Sequence, residues 1–219
     1  MPVRDIGVIR KLIRADRRMP QQDQDQVLRL IAETGALLDG HFLLQGGAHS
    51  EHFLRFALLG RSPHAIGMIS EQIERLLPPL ARGTQVLCPE SAGFFLGHAM
   101  AQRLAVQPAV SAIDSRRRPT ILLRTGTLIP GKPALIVNDI STTGASLDPL
   151  LQLAQQKECS IVGVAVFAAW RMDFFHQWQT RNNLRGEALV AGMWETYSAG
   201  PGCPGCAQGR PLLPAMEFN

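Results

Sequence analysis

The residues best suited to chemistry stand in one short window, Ala134-Leu135-Ile136-Val137-Asn138-Asp139-Ile140-Ser141-Thr142-Thr143-Gly144-Ala145-Ser146. Its last six residues, Ser141, Thr142, Thr143, Gly144, Ala145 and Ser146, line up backbone N–H groups and hydroxyls just before Leu147 to Lys157, which reads as a helix. Unsatisfied donors and the dipole at a helix N-terminus both favour negative charge, so this turn predicts a phosphate site. Gly144 allows a positive φ or a close backbone approach. Asn138 and Asp139 end the preceding apolar run, and open α/β sheets bind their ligands at the carboxyl ends of strands. An ordinary capped turn uses the same residue types, but seldom behind an acid on a buried strand.

The elements that must position this window follow from periodicity. Ala134 to Val137 is too short and too continuously apolar for anything but a buried parallel strand. Further short apolar runs, at Thr84–Cys88, Ala109–Ile113, Thr120–Leu123, Ser160–Ala169 and Ala188–Trp194, predict strands. Between them Ala65–Leu80, the stretch after Gly97 to about Leu104, and Phe174–Leu184 predict helices, the first stopped by Pro78-Pro79. Upstream, Gln22 to about Thr34 has helical spacing, and the Arg-rich first 22 residues read as one short helix. Ala36 to Arg55 reads as short strands around glycine turns. Alternating strands and helices imply an α/β, Rossmann-like, largely parallel sheet flanked by helices, with a small N-terminal hood. The segments expected are 1–60 for the N-terminal helices and hood, 61–200 for the α/β core, and 201–219 for a Pro/Gly/Cys tail.

Composition narrows the function classes. Apolar content of 46% and charged content of 18% fit a globular chain and exclude disorder. The longest apolar run, Ile161 to Trp170, is too short to span a bilayer, and no signal-peptide core follows Met1, so a cytoplasmic protein is expected. A net charge of +4 suits a small anionic substrate and calls for neither nucleic acid nor a membrane. The Cys203-Pro204-Gly205-Cys206 pair has no second pair to complete a zinc site, so it reads as a tight turn in a reducing compartment.

The central window resembles the phosphoribosyl pyrophosphate (PRPP) loop of type I phosphoribosyltransferases: an apolar strand, an acidic pair, then a Thr/Gly-rich turn. Ala36 to Arg55 resembles the hood of orotate phosphoribosyltransferases, and Cys203 to Leu212 their carboxyl end, so the resemblance covers roughly residues 24 to 214. It implies transfer of a 5-phosphoribosyl group from PRPP to orotate, or a related carboxylated ring, with release of pyrophosphate and dependence on Mg2+. Asp139 and Asn138 would act at the ribose, Asp139 reaching the metal through water, while Ser141 to Ser146 would cradle the 5-phosphate. Ser91, Ala92 and Gly93 would hold pyrophosphate. Arg116, Arg117, Arg118 and Arg124 could clamp it, since guanidinium binds phosphate oxygens bidentately. Arg171 would bind the orotate carboxylate, with Gln45 and backbone groups near Phe53 and Leu54 facing the base. A homodimer is implied as well.

Four departures keep other readings open. Asn138 is neutral where the family has an acid, and Gln45 stands where many members have a lysine. The segment from Asp114 to Pro119 has neither lysine nor histidine where the family has its mobile loop. Glu90 places a negative charge in the pyrophosphate turn, although Glu90-Ser91-Ala92-Gly93-Phe94 also resembles the loop of adenine phosphoribosyltransferases. The alternatives are a PRPP- or nucleotide-binding protein of the same fold with weak or lost transfer, and a transferase for another base. Asp139→Asn is expected to abolish turnover and Asn138→Asp to raise it.

Overall fold

The computed structural model describes residues 1–44, 46–170 and 172–215. The elements run α1 (Ile6–Leu12), β1 (Ile13–Ala15), α2 (Gln21–Thr34), β2 (Leu37–Leu43), β3 (His49–Leu54), α3 (Phe56–Gly60), α4 (Pro63–Leu76), β4 (Gln85–Pro89), α5 (Gly93–Arg103) and β5 (Pro108–Ile113). They continue with β6 (Pro119–Thr125), β7 (Pro133–Ser141), α6 (Asp148–Gln156), β8 (Ser160–Trp170), α7 (Met172–Asn182), β9 (Gly186–Gly192), β10 (Thr196–Tyr197), α8 (Pro204–Ala207) and β11 (Leu213–Pro214).

The apolar runs become the middle of a seven-stranded sheet in the order β1-β9-β8-β7-β4-β5-β6. Strands β9, β8, β7, β4 and β5 are mutually parallel, and β1 and β6 close the edges antiparallel. Alternation along β7 explains its unbroken apolar run. Leu135 and Val137 join one buried cluster with Ile66, Ile69 and Ile73 of α4 and Leu96 and Met100 of α5. Ala134 and Ile136 join a second cluster with Leu150 and Leu153 of α6 and Phe175 and Trp178 of α7. Both faces are therefore covered, as a parallel sheet requires. The expected α/β architecture is the one found.

The first 22 residues differ from expectation. They form α1, capped by the Asp5 carboxylate on the N–H groups of Gly7 and Val8, and then the edge strand β1, where Ile13 and Ala15 are buried and Arg14 points out. Three residues are too few for an alternation signal to stand out.

A second, four-stranded sheet in the order β10-β3-β2-β11 forms the hood. It draws on the chain before the core and on the tail, because β11 pairs in parallel with β2. A relay ties it to the carboxyl end of β8: Trp170 Nε1 donates to the Trp194 carbonyl at 3.1 Å, and Trp194 Nε1 donates to Ser50 Oγ of β3 at 3.1 Å. The hood thus sits at the edge of the sheet where β7 ends. Among the described residues, no helix is long and apolar enough to cross a membrane.

Candidate active site

Neighbouring parallel strands deliver two turns to one edge. β4 and β7 pair in parallel, so the turn after Pro89 and the turn after Ser141 emerge side by side. Asn138 joins them. It is only 2% exposed, and its Nδ2 donates to the Ile140 carbonyl at 3.3 Å and to Ser146 Oγ at 3.2 Å. Its Oδ1 is buried without a hydrogen-bond partner, and a Cβ at Gly93 would stand 2.5 Å from it. Asn138 is thus a post between the strand end, the Ser146 side of the phosphate turn and the start of α5.

The geometry adds a stability cost to Asn138→Asp. A carboxylate cannot donate to Ile140 or Ser146, and it would place a charge in a buried site. That variant is expected to lose about 2–4 kcal/mol of stability in denaturant titration, whatever it does to turnover per folded molecule.

Asp139, on the other side of β7, is half-buried. Desolvation pushes its carboxyl up to about 6, against the opposing pull of the backbone N–H groups of Ile140 and of Asp139 itself. No arginine or lysine among the described residues forms an ion pair with it. A desolvated carboxylate with no cation nearby fits a positively charged ligand, whether a hydrated metal ion or a sugar that acquires positive charge.

The turn expected to hold phosphate is one residue shorter than the sequence suggested. Ser141 is the last residue of β7, in register with Ala169, fully buried, with its hydroxyl lacking a hydrogen-bond partner. The open cradle is therefore Thr142 to Ser146, with Thr142, Thr143 and Ala145 exposed. The helix begins at Asp148 rather than Leu147. Gly144 is the bend: its φ is +83°, and its carbonyl accepts from the N–H groups of Leu147 at 2.8 Å and Asp148 at 3.2 Å. Behind it Trp178 is fixed by its Nε1 donating to Asp148 Oδ1 at 2.6 Å. The cradle rests on a buried wall.

Across from it, Ser91, Ala92 and Gly93 turn β4 into α5, with the Gly93 N–H facing Ser91 Oγ at 3.4 Å. The awkward Glu90 has a partner that the sequence did not reveal: Arg124 of β6 stands 3.3 Å from its carboxylate. The negative charge at the start of this turn is offset from the side.

The arginine run is a tight hairpin between β5 and β6. The Asp114 carboxylate accepts the N–H groups of Arg116 and Arg118, both at 2.9 Å, and the Arg118 guanidinium at 2.9 and 2.7 Å. Arg117 sits at φ +58°. Arg118 is thus bound to Asp114 and Arg124 to Glu90, and neither is presented as an open clamp. Arg116 and Arg117 are exposed at the end of β5, two strands from β7 and so about 10 Å across the sheet.

In the hood Leu54 is 3% exposed and points into the core, while half-buried Phe53 packs on Phe42 with ring centroids 5.7 Å apart. Gln45 and Arg171 lie outside the described residues, so their expected contacts with the base have no geometry. The further ligands missing from the cysteine pair do exist. His41 and His49 meet Cys203 and Cys206, with all four donor atoms within 4.8 Å of one another. Nothing in the spacing of the four residues revealed this, because the fold alone joins β2 and β3 to the tail.

Comparison with known proteins places this geometry in a lineage. The Phosphoribosyl transferase domain model matches residues 65–174, which span both turns and Asp139. The orotate phosphoribosyltransferase of Thermus thermophilus is 31% identical over 194 residues, covering 85% of this chain and 97% of that protein. That of Desulforamulus reducens is 26% identical over 192 residues, covering 87% and 95%. Among solved structures, orotate phosphoribosyltransferase from Aeropyrum pernix superposes with a TM-score of 0.64 at 19% identity, over 74% of this chain and 91% of that one. Two anion-facing turns around a strand-end carboxylate, a hood above them, and relatives that match over most of their length lead to one assignment: the chain belongs to the type I phosphoribosyltransferase family.

Proposed function

We propose that the protein transfers the 5-phosphoribosyl group of PRPP to a ring nitrogen of orotate and releases pyrophosphate. The observation that carries this reading is Asp139, a desolvated carboxylate that pairs with no cation among the described residues, beside the open turn from Thr142 to Ser146. The backbone N–H groups and hydroxyls of that turn bind the 5-phosphate. Asp139 accepts a ribose hydroxyl, and its charge favours the cationic character that the sugar gains as pyrophosphate leaves. The Ser91–Gly93 turn and the exposed Arg116 and Arg117 receive the pyrophosphate, and the turns hold the two reacting ends in register. Mg2+ fits this donor set as a largely hydrated ion: Asp139 would hold it through water, and the ion would neutralise charge on pyrophosphate oxygens. Orotate is favoured as acceptor because the curated relatives matching over most of the chain carry that name. Arg171 supplies the group a ring carboxylate needs. A homodimer in the cytoplasm completes the proposal.

Two observations favour a second reading, PRPP binding with slow transfer: the neutral Asn138 and the Arg118 guanidinium held by Asp114. Calorimetry with PRPP and Mg2+, followed by pyrophosphate release with orotate, uracil and adenine, separates them. Orotate-dependent release is the expected outcome. PRPP binding without release for any base would establish the second reading, release with adenine alone would reassign the acceptor, and no PRPP binding would overturn both.

A further inference from the structure

We propose that His41, His49, Cys203 and Cys206 form a structural zinc site that fastens the tail to the hood. The donors come from three segments: His41 from β2, His49 from β3, and both cysteines from the turn around α8. His41 Nε2 lies 2.9 Å from His49 Nδ1 and 3.4 Å from Cys203 Sγ. Cys206 Sγ lies 3.7 Å from His41 Nε2 and 3.3 Å from His49 Nδ1. A tetrahedral zinc ion with nitrogens at about 2.0–2.1 Å and sulfurs at about 2.3 Å separates its ligands by roughly 3.3 Å (N to N), roughly 3.6 Å (N to S) and roughly 3.8 Å (S to S). These four separations lie within about half an ångström of those edges, and the other two pairs, both involving Cys203, lie within 4.8 Å, so side-chain shifts of up to about 1 Å would admit the ion.

The chemistry agrees with the distances. His41 Nδ1 lies 3.0 Å from the Arg210 carbonyl, an acceptor only, which fixes the proton on Nδ1 and turns the Nε2 lone pair into the cluster. That is the arrangement in which a metal-ligating histidine is oriented by a backbone carbonyl behind it. His41, His49 and Cys203 are 3%, 5% and 0% exposed, so four protein donors close the site and leave no open position for water or substrate. Two thiolates and two neutral imidazoles around Zn2+ make a neutral unit, which can be buried without a stranded charge. The same packing explains Gly205 between the cysteines, where a Cβ would strike the His41 ring at 2.5 Å.

The tail needs such a fastening. Among the described residues its strand pairing with the hood is Leu213 with Phe42 and Pro214 with Leu43, a ladder too short to hold the segment unaided. Metal bonds between residues more than 150 positions apart close that long loop.

The test is metal analysis of the purified full-length chain, independent of any transferase assay. About one zinc per chain is expected, and near none in the Cys203→Ser/Cys206→Ser double variant. Because that variant could fail to fold, the unaltered protein is also stripped with a chelator and titrated with Co2+ alone. Visible d–d bands of a tetrahedral ion together with a thiolate-to-cobalt band in the near ultraviolet support the site, as does a higher unfolding temperature on adding Zn2+. Sub-stoichiometric zinc with no cobalt spectrum, or a Cys203–Cys206 disulfide in the freshly purified protein, would overturn it.

Discussion

Asp139→Asn is expected to lower kcat by about 10²–10³-fold while leaving PRPP binding within about tenfold. The asymmetry follows from what the carboxylate does. An amide of the same shape still hydrogen-bonds a ribose hydroxyl, but it offers no negative charge to a sugar that becomes cationic only as the bond to pyrophosphate breaks. The same substitution should make the folded protein more stable at neutral pH. Desolvation raises the Asp139 carboxyl to about 6, above its ordinary value, so the folded state holds the proton more tightly than the unfolded chain does. The group's favourable contribution is complete below about pH 4 and is lost as pH rises through about 6. At pH 7.5 the ionised side chain is thus a burden, and removing its charge should recover about 1–3 kcal/mol. Lower turnover with a higher unfolding temperature marks a charge kept for function. In the unaltered protein kcat/KM should fall about tenfold per unit below pH 6, a limb absent from the residual activity of the variant. If Asp139→Asn changed neither rate nor stability, the end of β7 would not be the reacting centre.

What could be read in the chain beforehand was whatever is local. β7 and β8 showed as unbroken apolar runs because alternate residues enter two different cores, and their observed ends lie within a few residues of the expected ones. The turn after β7 showed as a turn because glycine and hydroxyls follow the acid without a break. Pairings between distant elements stayed hidden. Glu90 looked unfavourable until β6 brought Arg124 beside it. The histidines at 41 and 49 carried no sign of the cysteines at 203 and 206, because only the parallel addition of β11 to β2 unites them. Ser141 was assigned to the cradle because a hydroxyl in sequence does not say which way a strand residue points. The link between Arg118 and Asp114 was within reach, since the two are four residues apart, but a run of three arginines suggests ligand binding more readily than a hairpin held by its own first residue.

Gly144→Ala tests the wall behind the cradle and should be among the most damaging single methyl groups in the molecule. Two independent effects add. At φ +83° an L side chain is strained by about 1–2 kcal/mol, and the new Cβ would lie 2.1 Å from Trp178 Cδ1, far inside contact distance. Trp178 cannot retreat, because it is 1% exposed and its indole N–H is held by Asp148 at the first turn of α6. Overpacking against a fixed ring adds about 1–3 kcal/mol, so a total near 3 kcal/mol and a fall of about 6–12 °C in Tm are expected. The strain can be relieved only by moving the turn, so PRPP affinity should fall as well. Gly144→Ala combined with Trp178→Phe separates the two effects. The smaller ring should itself cost stability, yet the double variant should be about 1–2 kcal/mol more stable than the sum of the single changes, because the steric part of the Gly144→Ala penalty disappears and only the φ strain remains. Strict additivity would show that the ring does not set the position of the turn.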